Sequence, residues 1–166
     1  MRIIRIVTVL AMAGLLLATV VGPATARRLP DSATGGAPLS AHLDGDQEVD
    51  PVTGELGAGD PEATGFAVAT INPGQGTACY ELAHDLDDDL PHMFHIHVGE
   101  AGTNGGIVVN FFTDDPGSVV PDTGCVDIDR GLATDILRNP EGYYFNVHNQ
   151  EFPAGAIRGQ LDRTSR

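Results

Sequence analysis

His95 and His97, in Phe94-His95-Ile96-His97-Val98-Gly99, have the spacing of two metal ligands on one strand. Strand side chains alternate between faces with a period of two. Both imidazoles therefore leave one face while Phe94, Ile96 and Val98 leave the other. A third imidazole, His148, ends a second alternating run, Tyr143-Tyr144-Phe145-Asn146-Val147-His148, where Tyr144, Asn146 and His148 oppose Tyr143, Phe145 and Val147. Three neutral imidazoles can hold Cu²⁺ or Zn²⁺ and leave a position for water. His92, in the turn before the pair, is a candidate fourth ligand. Protons compete for the same nitrogens, so binding through ordinary imidazoles weakens as pH falls through about 6.5. The other reading is structural: buried rings hydrogen-bonded to loops on the outer face, or a solvated surface. The residues alone leave these open.

Other chemistries are poorly supplied. A superoxide dismutase-like pair of metals needs further histidines soon after the first two, and none lies between His97 and His148. Asp44-Gly45-Asp46-Gln47-Glu48-Val49-Asp50 alternates carboxylates, but Val49 stands where a calcium loop needs its sharp-turn glycine. Asp85, Asp87, Asp88 and Asp89 read as a solvated acidic loop. The chain has no Gly-x-Ser-x-Gly element, no phosphate loop and no paired Cys/His nucleophile. No catalytic residue is assigned, and a non-enzyme is expected.

The elements that must position the histidines are short strands. Residues 39–43, 65–71, 77–83, 94–98, 106–112, 142–148 and 156–161 carry strand patterns, and 119–128 reads as two short extended pieces. Asn72-Pro73-Gly74-Gln75-Gly76 is a hairpin turn, and residues 151–155 are a second turn joining the last two strands. Residues 132–138 form the one helical pattern, stopped by Asn139-Pro140. The expected fold is all-β: an antiparallel sandwich or a barrel-like Greek-key domain with one short helix. Antiparallel pairing of the last two strands brings Asn146 and His148 near Arg158 and Gln160, a polar cluster, with Ile157 and Leu161 inward. Arg158, a cation among small residues, is expected to tie its strand to a loop or an acidic side chain.

The N-terminus reads as a secretory signal over residues 1–26, with Arg2 and Arg5 as the charged head and Ala24-Thr25-Ala26 before the cut. Residues 27–37 read as a flexible leader, 38–162 as the domain and 163–166 as a tail. The 166 residues carry 23 Asp and Glu against 9 Lys and Arg, a net charge of −14. That balance argues against nucleic acid or an anionic membrane as partner, leaving an extracellular protein or ligand. Export and a lone pair of cysteines, Cys79 and Cys125, point to one disulfide.

Several blocks in order resemble one family. They are Leu43-Asp44-Gly45-Asp46-Gln47-Glu48-Val49, residues 63–66, residues 95–109, Tyr143-Tyr144-Phe145-Asn146-Val147-His148, and residues 152–161. Together they resemble the CHRD domain, the module found in chordin and in many secreted bacterial proteins, over about residues 38–162. Asp50, Gly106, Asn149 and Ala156 stand where the family pattern usually has other residues. The resemblance implies an extracellular β module without catalysis, with regulation of signalling proteins in the animal context.

Overall fold

The computed structural model describes residues 36–86, 90–112 and 118–163. The expected signal segment over residues 1–26, most of the expected leader, Asp87 to Asp89 and the last three residues of the expected tail lie outside them. Nine strands follow in chain order: β1 (Ala37–Asp44), β2 (Thr64–Asn72), β3 (Thr77–His84), β4 (Met93–Val98), β5 (Ile107–Phe112), β6 (Thr123–Asp127), β7 (Tyr143–His148), β8 (Ile157–Gln160) and β9 (Asp162–Arg163). One helix, α1 (Arg130–Arg138), sits between β6 and β7. All pairings are antiparallel, and the sheet runs β5-β4-β7-β8-β1-β2-β3-β6, with β9 on β1. The two end strands, β5 and β6, lie against each other, so the sheet nearly closes into a barrel.

Alternation fills that barrel. Leu39, Ala41 and Leu43 from β1, Ala67, Ala69 and Ile71 from β2, and Tyr80 and Leu82 from β3 are buried in one apolar cluster. Large residues face small ones across the register: Ala69 lies between Leu39 and Tyr80, and Ala67 opposes Leu82. This lets a narrow barrel take bulky rings elsewhere. Those rings are Tyr80, Phe94, Phe111 and Phe145, with neighbouring centroids 4.9 to 5.4 Å apart. Each such pair adds about 0.5–1.5 kcal/mol beyond its area burial.

Local chemistry fixes the connections. Asn72 Oδ1 accepts from Gln75 N at 3.0 Å, and Gly76 N donates to Asn72 O at 2.8 Å, which closes the β2–β3 hairpin. Asp129 caps α1 by accepting from Leu132 N at 2.9 Å. The helix buries Ala133 and Ile136, one face at three-residue spacing, and ends at Asn139 before Pro140. Among the described residues no helix is long and apolar enough to cross a membrane.

Three boundaries differ from the sequence reading. Ala37, placed in the leader, starts β1 and pairs with Ile71. Arg163, placed in the tail, pairs with Leu39 in β9, and its guanidinium donates to the carbonyls of Leu137 and Arg138 at the end of α1. Residues 119–128 hold one strand, β6, rather than two pieces. Val120 instead enters the core and donates its N–H to Pro91 O at 2.8 Å.

Cys79 and Cys125 are directly opposed on β3 and β6, with Cα atoms 4.0 Å apart, and form a disulfide. It fastens an end strand of the open sheet across 46 residues of chain. Replacing both cysteines by serine should lower the unfolding free energy by about 4 kcal/mol in the chain-entropy view. Denaturant midpoints of the oxidised wild type and the double variant check this, alongside a thiol titration of the unreduced chain that finds no free thiol.

Candidate functional site

Strand register assembles the polar face. On β4 and β7, His95 opposes Asn146, His97 opposes Tyr144, and Met93 opposes His148. On β7 and β8, Asn146 opposes Arg158 and Tyr144 opposes Gln160. Alternation alone would make this the wet side of the sheet. Instead it is buried: relative exposure is 2% at His95, 8% at His97, 6% at His148, 3% at Asn146 and 1% at Arg158. Loops around residues 45–60, 99–106 and 149–155 fold over it, and they make its hydrogen bonds.

The three imidazoles converge. One ligand atom from each of His95, His97 and His148 lies within 4.8 Å of the others. His95 Nδ1 is 3.3 Å from His148 Nε2. His92 lies outside this group; its backbone N–H donates to His148 O at 3.0 Å. Backbone carbonyls fix the tautomers, because a carbonyl only accepts. His97 Nδ1–H donates to Gly105 O at 2.9 Å, and His148 Nδ1–H donates to Pro153 O at 3.1 Å. Each therefore presents an unprotonated Nε2 to the site. His95 Nδ1–H therefore donates to His148 Nε2; holding an ion on Nδ1 would require His95 in its other tautomer, with the proton on Nε2. A carbonyl on the distal ring nitrogen is the arrangement that metal-bound histidines use. Glycine permits the first of these bonds. A Cβ on Gly105 would sit 1.6 Å from Val98 O, so only glycine brings that carbonyl over β4.

Burial also sets the charge. Desolvation, with the neighbouring imidazoles adding to it, pushes His95 down to about 3. Desolvation lowers His148 to about 4 against the opposing carbonyl of Pro153. His97 is lowered too, by burial first, with the Gly105 carbonyl opposing and the Arg158 charge adding. The rings are neutral at pH 7. Protons therefore compete for these nitrogens only below the ordinary imidazole range.

Arg158 holds the cover in place. Its guanidinium carbon stands 3.4 Å from the Tyr144 ring centroid, and the Tyr144 ring stacks on His97 at 5.0 Å and 11°. Arg158 Nη2 donates to the carbonyls of Thr103 at 2.7 Å and Glu100 at 3.2 Å, and Nη1 to Asn104 Oδ1 at 3.4 Å. The Tyr144 hydroxyl accepts from Gly105 N at 3.2 Å. Gln160 turns to the carbonyls of Gly99, Glu141 and Tyr143 and serves the loop, not the histidines.

Glu48 belongs to this face; in the sequence it is one of an alternating row of carboxylates within a family block. It is 2% exposed, and Asn146 Nδ2 donates to its Oε2 at 3.5 Å. Gly155 lies against it: a Cβ there would meet both carboxyl oxygens at 2.4 to 2.6 Å, at a φ of +145° that favours glycine. Burial pushes Glu48 up to about 8, with the Arg158 charge opposing. Nothing in local alternation marks it, because it follows a short 3₁₀ turn over Gly45–Gln47.

Comparison with protein families matches residues 39–161 to the CHRD domain. Searches among curated proteins and among solved structures find no match.

Two stability measurements test this packing. Arg158→Lys loses the planar fork and the stacking on Tyr144 and should cost about 1–3 kcal/mol in denaturant unfolding. The carboxyl of Glu48 has a folded value of about 8 against 4.5 unfolded, so the folded state keeps a proton that the unfolded chain releases. Its stabilising contribution is whole below pH 4.5 and is lost as pH rises to 8, by up to about 1.4 kcal/mol per unit. The histidines act oppositely: below 6.5 the unfolded chain takes protons the folded state refuses, and stability falls towards acid. Above the histidine range only the Glu48 proton is being lost, so Glu48→Gln should abolish the decline in melting temperature between about pH 7 and 8 while leaving the fall towards acid below 6.5 in place.

Proposed function

The chain belongs to the CHRD domain family, and we propose that it is a secreted, non-enzymatic module that binds one transition-metal ion, Cu²⁺ or Zn²⁺, on His95, His97 and His148. One observation carries this reading: three buried, neutral imidazoles converge, and two have tautomers fixed by carbonyls so that an unprotonated Nε2 faces the site. Imidazole nitrogen suits both ions. The signal-like N-terminus and the disulfide support export, and the acidic charge supports a partner that is neither nucleic acid nor an anionic membrane. The second reading, a metal-free structural network, draws on the His95–His148 hydrogen bond.

Calorimetric titration separates the two. Wild type should take up one equivalent of Cu²⁺ or Zn²⁺, with an affinity that falls towards acid only at lower pH than free imidazole would give, because burial holds the three rings neutral below their ordinary range. His97→Ala removes a ligand and should lose more than the roughly 10–100-fold that outer partners cost. Equal uptake by both proteins would remove the metal reading, and a wild type that takes up neither ion would leave the structural network.

A further inference from the structure

Glu48 Oε1, His97 Nε2 and Asn146 Oδ1 are buried and make no hydrogen bond within the protein. Buried polar atoms in this state are few in folded proteins, and each costs about 1–3 kcal/mol if nothing meets it. Two of the three are acceptors by the bonds their partner atoms make. His97 gives its ring proton to Gly105 O, which leaves a lone pair on Nε2. Asn146 gives Nδ2–H to Glu48 Oε2, which turns its carbonyl oxygen away from that bond.

The register places Asn146 at the centre of this face. It opposes His95 on one side and Arg158 on the other. On its own strand it has His148 two residues ahead and Tyr144, stacked on His97, two behind. A guest that satisfies the face must therefore answer a ring nitrogen, an amide oxygen and a carboxyl together. An apolar guest answers none. A small anion alone would face lone pairs. A bare cation answers His97 and leaves the oxygens.

We infer that the metal ion on His95, His97 and His148 carries one water as a further ligand, and that Asn146 Oδ1 and Glu48 Oε1 hold that water. This rests on the three-histidine reading above. Among the described residues no fourth His, Cys, Asp or Glu joins the group, so a four-coordinate ion has a position left. A water in that position has two O–H groups and needs two acceptors. Glu48 Oε1 can accept from it as a carboxylate, or as a carboxyl whose proton sits on Oε2. One ion and one water then answer all three atoms. The ligand class that position would take in place of water is a small monodentate anion.

The full chain loaded with Cu²⁺ tests this. In ¹⁷O-enriched water its electron paramagnetic resonance lines should broaden, and azide should remove the broadening as its charge-transfer band grows. Asn146→Ala and Glu48→Ala each remove one acceptor; each should weaken copper by no more than the roughly 10–100-fold that outer partners cost, yet, once loaded with copper, bind azide about tenfold more tightly, the equivalent of one lost hydrogen bond to the displaced water. Circular dichroism confirms that the variants are folded, and the isotope result on wild type stands without them. Copper bound with no ¹⁷O broadening would overturn the inference and leave the three-histidine site standing. Unchanged azide affinity in both variants would overturn the role of Asn146 and Glu48. A wild type that binds no copper would overturn the site itself.

Discussion

The site depends on a buried cation. Arg158 lies beneath the loop of residues 99–106, flat against Tyr144, with its N–H groups directed at the Glu100 and Thr103 carbonyls and the Asn104 amide. A guanidinium is the side chain that can stack on a ring and bond in its own plane at once. Its stacking fixes Tyr144, which stacks on His97. Its bonds hold the loop whose Gly105 carbonyl sets the His97 tautomer. Glu48 is shielded by a second loop and reached by Asn146. Without Arg158, Tyr144 and the loop of residues 99–106 would lose the group that joins them.

Much of the fold was legible because strand patterning is local. The alternations around Phe94 and Phe145 placed β4 and β7, the Asn72 to Gly76 turn joined β2 to β3, and Asn139-Pro140 ended α1. Family blocks covered the same span that the family comparison matches. The misreadings came from long-range pairing. Arg163 is a strand residue only because Leu39 accepts it as a neighbour, and no pattern in four terminal residues says so. Residues 119–128 look extended throughout, yet Val120 is claimed by the core.

The site was legible in part. Alternation placed His95, His97 and His148 on one side of their strands and Asn146 opposite Arg158. It could not show that this side is dry. Cover comes from loops, and loop position follows from glycine and carbonyl geometry rather than from periodicity. For that reason nothing set Glu48 apart from the alternating carboxylates around it, and the imidazoles read as ordinary ones. Burial moves the carboxyl up and the rings down.

The order of strands has a consequence for how the molecule comes into being. β1, near the start of the chain, lies between β2 and β8, so the sheet is not joined through its middle until the last strands arrive. The polar face draws Glu48 from the first third and Asn146 from 98 residues later. Non-local pairing of this kind folds slowly, because loop closure is met before the contacts that reward it. A chain emerging from its N-terminus can form the β1–β2–β3 meander early, but its histidines stay wet and ordinary until β8 docks. Only the finished molecule has the dry imidazoles.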